Sequence, residues 1–111
     1  MIKSDVLYVD HVVKSIKLIE SYTKDANFEE FCANRMMYDA VVRNLQFLAE
    51  STQKISLEIK EKYTQIPWRD ISGFRNILVH DYLEGIDEHA VWNVVKFDLP
   101  ELKNRFEEIN L

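Results

Sequence analysis

This chain has few of the residues that make turns, crosslinks and membrane spans. It has two glycines and two prolines, too few for a turn-rich all-β fold and comfortable for helices. Cys32 is the lone cysteine, which excludes an intrachain disulfide and a cysteine-based metal cluster. No apolar run reaches the ~18 residues that a bilayer span needs. The first ten residues carry acid and no long apolar stretch, so they do not read as a secretion signal. Positive charge is scarce too: 14 Lys and Arg stand against 19 Asp and Glu, a net charge of −5. Broad electrostatic adhesion to nucleic acid normally needs a basic face, so any phosphate this chain handles must meet locally concentrated charge. The simplest reading is a cytoplasmic protein with no membrane association. Its 111 residues suit one domain, 1–111, with one core. Hydrophobic residues at 47% and charged residues at 30% exclude a disordered chain.

What is present is helical periodicity, with no internal repeat or Gly/Ser linker. The pattern predicts an all-α antiparallel bundle of four to five helices with one long central helix. The first runs from about Ser4 to Tyr22. Val6, Val9, Val13 and Ile16, widened by Val12 and Ile19, make its apolar stripe, and Lys14 and Lys17 mark the wet side. Asn27 with Glu30 three residues on has the form of a capping box for a short turn through Phe31. The long helix is predicted from Asn34 to Glu61, roughly 40 Å at 1.5 Å per residue. Val41, Leu45, Leu48, Thr52, Ile55 and Ile59 form its seam. A second apolar set, Met36, Tyr38, Val42 and Phe47, lies off that seam. Either short helices cover it or a second copy does, and a homodimer is the expectation. Pro67 opens a third helix ending near His80, with Gly85 available for a positive φ in the loop that follows. Asp87 can cap a fourth helix through Val91, Trp92, Val95 and Phe97. Asp98, with Glu101 three residues on, signals a last helix carrying Leu102, Phe106 and Ile109.

The chemistry concentrates in Arg75-Asn76-Ile77-Leu78-Val79-His80-Asp81-Tyr82, spacing R-x4-H-x-Y. Arginine is a permanent cation whose donor fork fits phosphate. Histidine gives or takes a proton near neutral pH. Together they are a minimal set for breaking an RNA phosphodiester without a metal. Asn76 and His80, four apart, share a helix face, whereas Arg75 and His80 are separated by roughly 140°. Alignment would need the helix to unwind at its C-terminal end, or a composite site shared by two copies. A helix C-terminus favours the protonated imidazole. The same residues also fit plain packing. A histidine beside apolar residues is usually a hydrogen-bonded packing residue, and a mid-helix arginine usually pairs with a carboxylate, for which Asp70, Asp81 and Glu84 are near in sequence. His11 and His89 receive no role. No histidine pair has metal spacing, and no cofactor site is indicated.

Longer stretches carry a family resemblance: Phe28-Glu29-Glu30-Phe31, Asp39-Ala40-Val41-Val42-Arg43-Asn44-Leu45, Ile66-Pro67-Trp68-Arg69-Asp70-Ile71-Ser72-Gly73-Phe74-Arg75-Asn76, Val79-His80-Asp81-Tyr82, Val91-Trp92 and Asp98-Leu99-Pro100-Glu101-Leu102. In this order they resemble the HepT-like branch of the HEPN superfamily of nucleotide-binding helical domains, over nearly the whole chain. The resemblance implies a metal-independent endoribonuclease toxin of a toxin–antitoxin pair, acting as a homodimer whose paired motifs form a cleft. It implies Arg75 and His80 as catalytic residues and Asn76 as the residue that orients the motif. It further implies a cognate minimal nucleotidyltransferase antitoxin that inactivates the toxin by AMPylation of Tyr82. Arg43 and Arg69 are candidate RNA-backbone contacts, unless they form salt bridges. The alternative is a non-catalytic helical partner and substrate of the nucleotidyltransferase. In the family the long helix often starts with a second arginine followed by Thr-Gln. Here Met36-Met37-Tyr38 stand there, which removes a positive charge and adds apolar surface.

Overall fold

A computed structural model describes residues 3–80 and 85–110. Its first helix, α1 (Lys3–Thr23), buries Val9, Val12, Ile16 and Ile19. Val6, predicted for the same stripe, is 46% exposed instead. Thr23 closes the last turn by donating its hydroxyl to the Ile19 carbonyl at 2.9 Å. The predicted capping box then starts α2 (Phe28–Ala33): the Glu30 amide donates to Asn27 Oδ1 at 2.8 Å, and the Asn27 amide to Glu30 Oε1 at 3.1 Å. Asn34 ends that helix and caps the next, α3 (Arg35–Lys54), by accepting from the Met37 amide at 3.0 Å.

The long central helix predicted over 34–61 is divided. α3 stops at Lys54, Ile55 is extended, and α4 (Leu57–Lys62) starts after Ser56. The cause is Asp5 of α1, only 1% exposed. Its carboxylate accepts from both the Ser56 amide (2.8 Å) and the Ser56 hydroxyl (2.7 Å). Ser56 Oγ accepts in turn from the Ile59 amide at 3.4 Å. An unbroken helix would bond the Ser56 amide to its own backbone. The break still buries both Ile55 and Ile59, so the apolar seam survives the change of direction.

α5 (Trp68–His80) follows Pro67, whose carbonyl accepts from the Ile71 amide at 3.1 Å. Proline therefore sits one place before the first helical residue. The Trp68 indole donates to the Tyr63 carbonyl at 2.9 Å and its ring meets Phe106 edge-on at 5.6 Å. Gly85 has the predicted positive φ, 92°. Asp87 caps α6 (Glu88–Asn93) through the His89 amide. The predicted fresh start at Asp98 does not occur. Asp98 is helical (φ −86°, ψ −41°), makes no side-chain cap, and closes a π-helical turn (Val94–Asp98) leading directly into α7 (Leu99–Glu107). Pro100 explains the widening: it has no N–H for the carbonyl of Lys96, and its ring would press on that carbonyl. Phe97 is left 72% exposed, not in the core.

No strand occurs among the described residues, and the bundle is all-α as expected. α1 and α3 make the most extensive helix contact and run antiparallel, since Asp5 meets Ser56 and His11 meets Phe47. α5 lies antiparallel on another side of α3, and α7 docks on α1 through Lys103 and Glu20 at 2.7 Å. The second apolar set is split by this packing. Val42 and Tyr38 are buried, Tyr38 against Phe31 of α2 at 5.4 Å between rings, whereas Met36 and Phe47 stay exposed.

Candidate functional site

α5 is helical without interruption through His80. Arg75, Asn76 and His80 therefore ride on one rod. Asn76 and His80 fall on one face in helical register, and Arg75 stands about 140° from His80. Unwinding before His80, one of the two ways to align them, does not happen. Tyr82, Asp81 and Glu84 lie outside the described residues.

Arg75 is half-buried, and its Nε is buried without a hydrogen-bond partner among the described residues. It makes no ion pair among them either; Asp70, three candidate carboxylates' one described member, is exposed and unpaired with it. A buried donor left unmade is costly in a folded chain. On α5, Arg75 lies between two residues tied to α3. Gln53 Nε2 contacts Ser72 Oγ at 3.2 Å, and Gln46 Nε2 donates to the Leu78 carbonyl at 3.3 Å. The Leu78 carbonyl belongs to the last turn of α5, where carbonyls have no intrahelical donor. Gln46 thus ties down the turn that carries His80. No local sequence signal marks Gln46, because its partner is 32 residues away.

The two predicted backbone-contact arginines are separated. Arg43 is exposed on α3, three residues before Gln46, and so lies toward the end where α5 stops. Arg69 is exposed in the first turn of α5, roughly 16 Å along the helix axis from His80. Neither makes an ion pair among the described residues. Arg69 instead rims a groove of about 740 Å³ between α5 and α7. Leu45 and Leu48 of α3 line it, with Phe74, Ile77 and Leu102 on its walls and Gly73 beside them. A Cβ at Gly73 would meet nothing within 4 Å, so this face of α5 is open to a close neighbour.

Among the described residues no group of three or more His, Cys, Asp and Glu is placed to hold a metal. Cys32 is a poor nucleophile: its thiol pKa is pushed up to about 11, first by a hydrogen bond to Glu88, then by burial.

The family model described as "Ribonuclease HepT-like" matches residues 12–109. The chain belongs to the HepT-like ribonuclease family. It is 34% identical over 102 residues to "Probable ribonuclease HepT" of Thermococcus cleftensis, covering 92% of each chain. It is 36% identical over 108 residues to "Putative RNase MJ1380" of Methanocaldococcus jannaschii, covering 96% of this chain and 98% of the relative. A further Methanocaldococcus jannaschii protein, "Gamma-glutamylcyclotransferase and putative RNase MJ0434", is 38% identical over 103 residues. This HepT-like chain spans 46% of that relative's length. No solved structure matches the chain. No described helix is long and apolar enough to cross a membrane.

Proposed function

We propose that this HepT-like chain is an endoribonuclease that needs no metal, works as a homodimer, and is the toxin of a toxin–antitoxin pair. The observation that carries the proposal is Arg75: a half-buried guanidinium donor on an unbroken helix, with no ion pair among the described residues. A phosphate oxygen is the acceptor such a donor fits best. Arg75 binds the scissile phosphate and stabilises the extra negative charge of the transition state. His80 moves the 2′-hydroxyl proton as a general acid–base group, and Asn76 orients the motif. Because α5 keeps Arg75 and His80 about 140° apart, the arginine of one copy works with the histidine of the other.

Regulation follows from Tyr82, two residues beyond His80. A cognate nucleotidyltransferase antitoxin joins the Tyr82 phenol oxygen to the α-phosphate of ATP, with pyrophosphate leaving and the phenol proton passing to solvent. The added AMP places bulk and negative charge where the RNA phosphate must sit.

The test is cleavage of RNA by purified protein in the presence of chelator. Activity is expected, and its loss in both Arg75→Ala and His80→Ala with the protein still folded. Protein inert toward RNA with and without divalent ions contradicts this reading. It would favour a second one, a non-catalytic docking and modification platform, for which the net charge of −5 speaks. Intact mass after co-expression with the nucleotidyltransferase should rise in adenylate steps, and Tyr82→Phe should abolish the rise.

A further inference from the structure

We infer that Phe47 and His11 form a stacking platform for a base of single-stranded RNA, alongside the motif helix. The inference rests on the ribonuclease reading and adds a place for the nucleotides flanking the cleaved linkage.

Phe47 is 46% exposed in the middle of α3. One exposed aromatic ring means little; its surroundings mean more. His11 of α1 sits 5.4 Å from it, ring to ring, and Tyr8 lies 6.2 Å from His11 on the other side. His11 and Tyr8 are half-buried. The Lys54 ammonium stands 5.8 Å from the Tyr8 ring. Three aromatic rings thus form a row across two helices.

The Phe47 end of the row lies across one exposed ridge of α3 from the flank that meets α5. On α3, Gln46 and Gln53 reach α5, while Phe47 and Lys54 meet α1. Between these flanks runs an exposed ridge with Arg43 and Glu50. Arg75 sits on α5 between Ser72 and Leu78, the two residues that Gln53 and Gln46 hold. Phe47 is therefore about one helix width, ~10 Å, from the α5 flank. A strand whose phosphate is held by Arg75 must leave the site along some surface, and this ridge is adjacent.

Charge agrees. Arg43 and Lys54 make no ion pair among the described residues. Two nearby carboxylates are engaged on their own helices, Asp10 by Lys14 at 2.9 Å and Asp39 by Arg35 at 3.1 Å. Glu50 is the acid that remains on the ridge. In a chain of net charge −5, cations beside partly exposed rings are the local concentration that single-stranded nucleic acid requires.

The test is binding of a fluorescent, mixed-sequence single-stranded RNA with 2′-O-methyl sugars, which cannot supply the attacking hydroxyl. Phe47→Ala should weaken binding roughly 5- to 100-fold. Phe47→Leu keeps an apolar side chain and removes the π-face; it should weaken binding as well. Phe47→Tyr should stay within about twofold of the unchanged protein. With cleavable RNA, KM should rise in Phe47→Ala and Phe47→Leu while kcat holds. If Phe47→Leu is folded and binds RNA like the unchanged protein, the platform is wrong and the ribonuclease reading stands. If the unchanged protein neither binds nor cleaves RNA, that reading fails and the platform fails with it.

Discussion

Two stretches along α3, its Lys54 end and its middle, are finished in opposite ways. Near Lys54 the polar groups have partners. Asp5 accepts two hydrogen bonds from Ser56, Ser56 caps α4, and close by Trp68 donates to Tyr63. Toward the motif, one amide contact at 3.3 Å, Gln46 to Leu78, holds the last turn of α5. There Arg75 Nε is buried with no described partner, while Arg43, Phe47 and Ile77 are exposed. The first stretch spends its polar chemistry on the fold. The second keeps a buried donor without a described partner and leaves cations and rings exposed, and a folded protein tolerates groups that do not stabilise it where function needs them.

This contrast predicts that substitutions separate stability from activity. The largest effects belong to the motif. Arg75→Ala and His80→Ala should each lower kcat for RNA cleavage by about 10²–10⁴-fold, with the melting temperature changing little. A fall in melting temperature that tracks the lost activity would erase the distinction. Asp5→Ala should do the reverse. It removes the acceptor for two Ser56 donors, at least one of them out of water, and should cost about 1.5–3 kcal/mol. For a chain of this size, at roughly 4–8 °C per kcal/mol, that is a drop of about 6–24 °C, read by thermal melting, with cleavage by the folded protein unchanged. Gln46→Ala has the smallest expected effect and sharpens the boundary. It should cost about 1 kcal/mol of stability and lower kcat more than it changes KM, because Gln46 holds the turn that carries His80. An unchanged kcat with lower stability would move Gln46 to the structural side of the comparison.

What could be read in the sequence is what neighbours along the chain decide. Val12, Ile16 and Ile19 recur at helical spacing and are buried. The Asn27–Glu30 box closes within three residues, and Gly85 takes its positive φ. The break at Ile55–Ser56 was not legible, because the group that makes it, Asp5, lies 51 residues away. The start signal at Asp98 misled for a local reason: Pro100 widened the helix into a π turn instead of ending it. Of the expected dimer surface, Val42 and Tyr38 are in the core, Tyr38 against Phe31 of α2, and only Met36 and Phe47 stayed outside. At the candidate site the spacing of Arg75, Asn76 and His80 on one helix was legible. The burial of Arg75 Nε, the Gln46 tie and the separation of Arg43 from Arg69 depend on tertiary contacts that no spacing encodes.

The central claim is that Arg75 of one copy serves His80 of another, and complementation tests it most directly. Arg75→Ala and His80→Ala proteins, each inactive alone, are refolded together and assayed for RNA cleavage in chelator. In a two-fold dimer, a mixed pair keeps one site with both groups intact. Half of randomly formed dimers are mixed, so roughly a quarter of the unchanged activity should return. Mixed dimers that form, as shown by differential tagging, and remain inactive would contradict the shared site.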